Sequence, residues 1–368
     1  SYASKTGVFD VDFPDEQVRQ VQSAAKKIRL WLLMGVIALL AASVVLIFIA
    51  IQTAVFSRRR EIEVMRLVGA TNWFIRIPFI IEGLIQLAGI SAIVIIALIF
   101  FFLLREGLPM FLDIPLRQLF GVRWYPIEDS FGLAPLLYGS LLVTFGAVVI
   151  ALPLGIITAI YLGELAPQWL REILKPIIEV LAGIPSIVLG FLGWVALAPL
   201  VQALGAPTGL TAFTGSLILA YMSLPTIISI AEDALYAVPK EYRDGSLAIG
   251  ATQWQTIWRV VVPAARSGML IAVMLGIGRA IGETMVVMMV TGNAANIPPF
   301  GPGMFFQPVR TMTATIAAEM GEVAQGTLHY NVLFGIGIVL FVITFAINSL
   351  ANRLIGFNGG SRGRGGKL

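Results

Sequence analysis

The chain has 368 residues, of which 58% are hydrophobic and 12% charged, and its mean hydropathy is +0.88. Soluble domains carry about twice that charged fraction, so the composition excludes an ordinary soluble protein. The lack of cysteine excludes disulfides and thiolate metal sites, and the single histidine, His329, cannot form a metal cluster alone. The net charge of +4 favours membrane lipid as a partner, and no nucleic-acid partner is expected.

Apolar runs of the length that a transmembrane helix needs, about 20 residues, recur along the chain and predict seven spans. Six spans come from charge-free runs at Leu30–Ser57, Gly83–Leu104, Ser130–Gly163, Val180–Ala231 (two spans) and Tyr330–Asn352, and one lies near Ala265–Gly292, which contains a few charged residues. This pattern predicts an all-α polytopic membrane protein. When the loops alternate between the two sides, most of the Lys and Arg residues fall on the side that follows the first span, which places that side in the cytoplasm.

The N-terminal stretch, residues 1–29, is polar and mixed in charge, and no signal-peptide pattern precedes the first span. We expect this stretch to be the remnant of an extracytoplasmic piece. After the first span comes a charged segment that ends in Gly-Ala-Thr-Asn-Trp, residues 69–73. Gly69 suits a helix end, and Thr71 can cap a following helix.

Residues 57–84, SRRREIEVMRLVGATNWFIRIPFIIEGL, resemble the C-terminal part of FtsX-type proteins, and the resemblance extends over about residues 8–88. It implies a second coupling-like segment, with the candidate residues Arg59, Glu61, Gly69 and Trp73. FtsX-type proteins couple an FtsE-type ATPase to cell-wall hydrolases during division. The resemblance therefore implies an alternative function, an envelope scaffold that transmits ATPase signals.

The pentapeptide pattern Gly-Ala-Thr-x-Trp occurs again at residues 250–254. Pro239 can begin a helix that ends at Gly250, a residue suited to a left-handed cap. Thr252 can then cap a second helix, with Gln255 closing a capping box. The expected product is a helix, a bend and a helix at the cytoplasmic face. It is either a surface hairpin with tryptophan anchors or a docking site for a cytoplasmic partner.

The same segment has the spacing of the EAA signature of ABC-importer permeases: acidic-small-small, three residues, Gly, nine residues, aliphatic-x-aliphatic-Pro. The matching residues are Asp244, Gly245, Ser246, Gly250, Val260, Val262 and Pro263, with Ala251 and Trp254 in the bend between them. Asp and Gly replace the usual Glu and Ala. In that family the segment, here residues 239–263, is the coupling helix that sits in a groove of the ATPase subunit. Pro263 is expected to break the helix before the next span.

Six further stretches lie between residues 122 and 293. They are VRWYP (122–126), FGLAPLLYGSLLVT (131–144), PLGIITAIYLGELAP (153–167), LKPIIEVLAGIPSIVLGF (174–191), EDALYAVP (232–239) and GIGRAIGETMVVMMVTGN (276–293). Together they resemble the phosphate ABC transporter permease of the PstC type, over about residues 91–357. The resemblance implies a multi-pass protein of the bacterial inner membrane in which six spans form a type I, MetI-like permease core.

The PstC-type resemblance also implies partners. Such a subunit pairs with a PstA-type permease above two PstB-type ATPase subunits, and a periplasmic phosphate-binding protein delivers phosphate. The chain itself would be non-catalytic and bind no cofactor, since ATP and Mg²⁺ belong to the ATPase. We expect an FtsX-like part at residues 30–90, the permease at 91–357 and a disordered basic tail at 358–368. A natural fusion, an engineered chimera and a misassembled reading all remain open.

Arg279 and Glu283 lie four residues apart in the predicted span Ala265–Gly292, on one helix face. An ionisable group at that depth costs roughly 2.5–3.5 kcal/mol. The two form an intrahelical ion pair, or Arg279 offers phosphate the fork of donors that suits it while Glu283 moderates the charge. The run R-A-x-G-E-T is distinctive of the PstC-type resemblance. Thr284 and Asn293 are further candidate donors.

Overall fold

The computed structural model describes residues 71–359 of the chain. Several predicted features lie outside the described residues: the piece 1–29, the span Leu30–Ser57, the coupling-like residues Arg59, Glu61 and Gly69, and most of the basic tail. The chain divides into two compact units, residues 1–100 and 101–368.

Helix α1 begins at Asn72, directly after Thr71, and continues past the end of the first unit to Asp113. This start agrees with the predicted cap position of Thr71. Trp73 is exposed, and so are large aliphatic side chains along the helix, such as Ile85 and Ile93. A helix that is apolar on its exposed surface is typical of a membrane span.

The regular structure in the described residues of the second unit is helical, apart from one short hairpin and an isolated bridge between Gly292 and Val309. In chain order its elements are α2 (Leu116–Leu119), β1 (Trp124–Tyr125), a 3-10 turn (Pro126–Glu128), β2 (Ser130–Phe131), α3 (Ala134–Ile160), α4 (Gln168–Ala182), α5 (Ser186–Leu192), α6 (Ala198–Ala203), α7 (Ala212–Tyr236), α8 (Lys240–Ala248), α9 (Gln253–Thr256), α10 (Val262–Gly282), α11 (Met285–Val290), a second 3-10 turn (Pro302–Phe306), α12 (Met312–Glu319) and α13 (Leu328–Gly359). The antiparallel hairpin pairs Trp124 with Phe131.

Three π-helical turns extend or join these helices. They are Tyr161–Leu165 after α3, Gly193–Leu197 between α5 and α6, and Ile257–Val261 between α9 and α10. A π turn accommodates one extra residue without ending the helix, and such turns often mark functional positions.

Six helical segments among the described residues are long and apolar enough to cross a membrane. They are Ile80–Asp113, Ala134–Leu165, Ser186–Ala203, Ala212–Tyr236, Gln253–Gly282 and Leu328–Leu350. The prediction of an all-α polytopic membrane protein is confirmed, with six of the seven expected spans present. The seventh, the first in the sequence, lies outside the described residues.

Two predicted helix boundaries are wrong. Pro263 does not interrupt the helical segment Gln253–Gly282. It lies in the first turn of α10, directly after the π turn Ile257–Val261. A missing N–H is tolerated there. The same helix ends at Gly282 instead of continuing to Gly292, because Glu283 adopts an extended conformation with φ −68° and ψ 135°.

Three clusters of buried apolar side chains form the core of the second unit. The central one includes Val143 of α3, Leu219 of α7 and Val287 of α11. Close contact of α7 with its neighbours depends on glycine: a Cβ atom at Gly155 or Gly276 would lie within 2.7 Å of Ile227. Small residues of this kind let membrane helices approach closely, so α7 is held firmly between α3 and α10.

Candidate functional site

Residues 239–263 form a helix, a bend and a helix, which we call the elbow. The first helix, α8, ends at Ala248, and Gly250 adopts φ +88°, the left-handed conformation that glycine tolerates best. The Ala251 N–H donates to the Ser246 carbonyl at 3.2 Å, which satisfies one carbonyl at the helix end. The predicted glycine cap is confirmed.

The second helix of the elbow begins with the predicted capping box. Thr252 Oγ1 accepts the Gln255 N–H at 3.3 Å, and the Gln255 side chain accepts the Thr252 N–H at 3.0 Å. The buried hydroxyls of Ser246 and Thr256 share a hydrogen bond of 2.9 Å that joins the two helices. The elbow therefore has a fixed angle, while its coupling role stays a prediction.

Arg243 fastens the elbow to the transmembrane helices. Its Nε and Nη2 donate to the two carboxylate oxygens of Glu164, at 3.2 and 2.6 Å. Nη1 and Nη2 also donate to the carbonyls of Val238 and Leu235, at 2.6 and 2.9 Å. The hydrogen bond and charge of Glu164 raise the pKa of Arg243 above its ordinary value, against the opposing effect of burial. The ends of α3 and α7 and the start of the elbow are thereby linked.

The π turn Tyr161–Leu165 at the end of α3 is the point where several of these links meet. Arg171 donates to the carbonyls of Leu162 and Gly163, at 2.8 Å each. Gln253 of the elbow donates to the Glu164 carbonyl at 3.4 Å. A displacement of the elbow would therefore be transmitted directly to α3.

Large apolar side chains project from the elbow into the surroundings. The exposed ones are Tyr242, Leu247, Ile249, Trp254 and Trp258. Asp244 and Gly245 of the predicted signature are also exposed, and a Cβ atom at Gly245 would meet no neighbouring atom within 4 Å. An exposed apolar surface on a rigid support is suited to binding a partner protein.

Arg279 lies in the last turn of α10 and is partly buried. Its one hydrogen bond within residues 71–359 is from Nη1 to the Thr226 hydroxyl of α7, at 3.1 Å. A guanidinium carries five N–H donors, so most of the donors of Arg279 are not used by the described part of the chain. Sequence reasoning did not single out Thr226, because nothing in the sequence places it opposite Arg279.

The expected pairing of Arg279 with Glu283 along one helix face is not observed among the described residues. Because α10 ends at Gly282, Glu283 lies in the break before α11, where its Oε1 accepts the Val286 N–H at 3.4 Å. The Glu283 carbonyl accepts the Thr313 hydroxyl at 2.8 Å. The carboxylate thus stabilises the start of α11.

The two candidate neutral donors make only local hydrogen bonds. The Thr284 hydroxyl donates to the Gly282 carbonyl at 3.3 Å, in the same break as Glu283. Asn293, with φ +49°, donates from Nδ2 to the Met288 carbonyl at 2.7 Å and lies beyond the opposite end of α11. Arg279, Glu283 and Thr284 therefore share one region, and Asn293 belongs to another.

Hydroxyl groups gather beside Glu283. A small cavity of about 10 Å³, close to the volume that one water molecule requires, adjoins Glu283 in the core between α3, α10 and α12. Its polar lining consists of Ser140, Thr144, Thr311, Thr313 and Glu283. Polar groups thus continue from the end of α10 into the core of the second unit.

A second polar cluster centres on Glu319 at the end of α12. Its carboxylate binds Arg310 at 2.7 Å, accepts the Trp124 Nε1–H at 3.1 Å and lies 2.8 Å from His329 Nε2. The cluster ties the hairpin to α12 and α13. Within residues 71–359, no group of three or more His, Asp or Glu residues is arranged to hold a metal ion.

Comparison with known proteins identifies two family matches. Residues 151–357 match the family described as binding-protein-dependent transport system inner membrane component. Residues 33–125 match the FtsX-like permease C-terminal family, which agrees with the FtsX-like segment expected from sequence.

The matched relatives are permeases. A probable ABC transporter permease protein YqgH of Bacillus subtilis is 41% identical over 269 residues, which are 72% of this chain and 84% of the relative. Phosphate transport system permease proteins PstC of Mesorhizobium japonicum and Pasteurella multocida are 39% and 36% identical over 252 residues. These cover 63% of this chain and 76% and 77% of the relatives.

A solved structure supports the same fold. A chain from inward-facing conformations of the MetNI methionine ABC transporter superposes with a TM-score of 0.50 at 18% identity, over 64% of this chain and 99% of that chain. The predicted PstC-type resemblance with an FtsX-like segment is confirmed, and the chain is a multi-pass inner membrane protein. It belongs to the family of binding-protein-dependent transport system inner membrane components.

Proposed function

We propose that this permease is the translocating subunit of an ATP-driven importer of inorganic phosphate. The observation that carries the proposal is the state of Arg279: a guanidinium in a membrane span whose one hydrogen bond within residues 71–359 goes to Thr226. An ionisable group in a span is costly and typically faces a pathway or a partner. The remaining donors of Arg279 suit the oxygens of a phosphate ion.

The surroundings of Arg279 support a site that binds an anion weakly and releases it, rather than one that binds it tightly. Glu283 lies four residues further along the chain and brings a negative charge to the same region. Thr284 and the hydroxyl-lined cavity add neutral groups. A cation whose charge is partly balanced holds an anion weakly enough to release it, as conduction requires. Asn293 remains a weaker candidate, because it lies beyond the far end of α11.

The elbow provides the contact surface for an ATPase subunit. We propose that its exposed apolar side chains sit in a groove of a PstB-type ATPase subunit, with Asp244, Gly245 and Trp254 at the contact. Arg243 would pass the motion of the ATPase to α3 and α7. ATP and Mg²⁺ would bind to that partner, and this chain would perform no catalysis. A PstA-type permease and a periplasmic phosphate-binding protein would complete the assembly.

The alternative function, an FtsX-like envelope scaffold, has weaker support than a phosphate permease. The FtsX-like match ends at residue 125, before the elbow and before Arg279. A scaffold that only transmits signals gives no reason for a cation in a span most of whose donors are not used by residues 71–359. We place the permease part at residues 91–357 and the FtsX-like part at 30–90. Co-purification of an FtsE-type ATPase, without a phosphate-importer ATPase, would contradict this choice.

The test is phosphate uptake by Arg279→Gln in the full chain. Two charge-assisted hydrogen bonds, each contributing about 1.5–3 kcal/mol, are lost, so uptake falls by about 100-fold or more while the ATPase still co-purifies. Arg279→Lys keeps the charge without the fork of donors and retains an intermediate rate. The control is Arg353→Gln, at an exposed arginine in the last helix, which leaves uptake unchanged. Uptake at the wild-type rate by Arg279→Gln would disprove the proposed role.

A further inference from the structure

Helix α4, residues 168–182, connects two membrane spans but cannot cross the membrane itself. It has 15 residues, about 22 Å, and carries four charges, at Arg171, Glu172, Lys175 and Glu179. The preceding span ends at Leu165 and the next begins at Ser186. Because both ends of α4 join spans on the same side, the helix must stay close to one surface of the membrane.

One side of α4 is fixed to the helix bundle by its two cations. Arg171 donates to the carbonyls at the end of α3, as described above. Lys175 lies 3.5 Å from the buried carboxylate of Glu232 and 3.6 Å from that of Asp233, both on α7. These contacts determine which face of α4 points away from the protein.

The face that points away is apolar. Trp169, Ile173, Ile177 and Val180 are spaced i, i+4, i+8 and i+11, and they are 63%, 52%, 48% and 71% exposed. This spacing places the four side chains in one stripe along the helix. Within the described part of the chain, no residue of α4 is fully buried.

The apolar stripe is continuous with the exposed surfaces of the adjoining spans. Tyr161 and Leu165 are exposed at the end of the preceding span, and Ile187 and Val188 are exposed at the start of the next one. In a membrane protein such apolar surfaces of spanning helices face lipid. The stripe of α4 extends this surface sideways, at the level where the spans leave the hydrocarbon.

We propose that α4 is an interfacial helix that lies in the plane of the membrane and inserts this stripe among the lipid acyl chains and headgroups. An amphipathic helix with tryptophan on its apolar face binds lipid in this way. Both basic residues of α4 are engaged within the protein, and its exposed charges, Glu172 and Glu179, are acidic. Binding is therefore driven by apolar burial and does not depend on anionic lipid.

The chain contains no cysteine, so single cysteines can be introduced and spin-labelled without background. Ile173→Cys tests the stripe, Glu172→Cys is the matched control at the neighbouring position, and Ile187→Cys is the reference inside a span. The full chain, purified with the subunits that accompany it, is reconstituted into phosphatidylcholine vesicles with or without phosphatidylglycerol. Collision of each nitroxide with oxygen, which dissolves in lipid, is compared with collision with a water-soluble nickel chelate.

The expected result is that residue 173 favours oxygen several-fold, as residue 187 does, and residue 172 favours the chelate, in both vesicle types. Residue 173 favouring the chelate would show that the stripe lies in water and would overturn the proposal. Shielding of residue 173 from both reagents would show a protein partner on the stripe and would also overturn it. A preference for oxygen only when phosphatidylglycerol is present would contradict the apolar mode of binding.

A second measurement avoids changes to the packing of α4. Trp169→Phe keeps an aromatic ring. The difference in tryptophan fluorescence between the wild type and this variant is the component contributed by Trp169. We expect this component to be strongly quenched in vesicles of brominated phosphatidylcholine, relative to unbrominated vesicles. An equal component in both vesicle types would overturn the proposal by placing Trp169 away from lipid.

Discussion

Arg243 in the elbow and Arg279 in the membrane span are both partly buried guanidinium groups, but their surroundings differ. Arg243 donates to four acceptor atoms, two on the Glu164 carboxylate and two on backbone carbonyls. Arg279 has one hydrogen bond within the described residues, to the hydroxyl of Thr226. Arg243 holds helices together, whereas most of the donors of Arg279 are not used by the described part of the chain.

The difference shows that saturation of hydrogen bonds, rather than burial or charge, separates a structural arginine from a candidate functional one. A buried cation is tolerated when a carboxylate and carbonyls satisfy it, as in the elbow. A cation in a span with unused donors has a cost that the fold itself does not offset. Mutations at the two positions should therefore affect different properties of the protein.

The largest effect on stability is expected from Arg243→Met. The substitution leaves the Glu164 carboxylate, whose side chain is only 9% exposed, without its cation. Because the guanidinium itself is 21% exposed, we expect the lower end of the range for a broken buried pair, about 3 kcal/mol of unfolding free energy. Arg279→Met removes one hydrogen bond and also removes a cation that is costly in a span, so the two effects oppose each other and stability should change by about 1 kcal/mol or less. Denaturant unfolding in detergent micelles measures both.

The control is the double variant Glu164→Gln with Arg243→Met. It removes both charges, so no uncompensated carboxylate remains, and it should be more stable than Arg243→Met alone. If Arg279→Met proves as destabilising as Arg243→Met, the contrast between the two arginines is wrong and Arg279 is a structural residue.

The same contrast explains what could be predicted from the sequence. The cap at Gly250 and the box at Thr252 depend on neighbours within a few residues, so local patterns were sufficient. Glu164 and Arg243 are 79 positions apart, and only the packing of α3 against α7 brings them together. The single charge in the apolar run YLGELAP was the available signal for Glu164.

Two predicted helix boundaries were wrong for a related reason. The stretch from Ala265 to Gly292 contains several glycines, so Gly282 alone does not identify the break at Glu283, whose extended conformation is accompanied by a bond from Thr313 thirty positions away. Pro263 looked like a helix end, because nothing in the sequence signals the π turn that accommodates it. The type and number of described spans were predictable from hydropathy, whereas long-range contacts decided where two of these helices end.

A second prediction concerns the angle of the elbow that carries Arg243. Gly250→Ala forces a Cβ atom into the left-handed conformation at φ +88°, which costs roughly 1–2 kcal/mol. A Cβ atom there would meet no other atom within 4 Å, so conformation is the sole expected cause. Gly245→Ala, at a helical position with equally open space, is the control and should stabilise by about 0.5–1 kcal/mol. Unfolding measurements that show both variants shifted in the same direction would contradict this account.

A third prediction concerns the one bond that Arg279 makes within the described chain. Thr226→Val keeps the shape of the side chain but removes the acceptor, so the guanidinium loses its fixed position opposite α7. The donor is a charged guanidinium that is only partly buried, so we expect the lower end of the range for charge-assisted bonds, about 1.5 kcal/mol, and a fall in the phosphate uptake rate of about ten-fold. Thr226→Ser retains the hydroxyl and should transport at close to the wild-type rate. If Ser and Val at this position impair uptake equally, the methyl group and its packing are what matter, and the hydroxyl does not position Arg279.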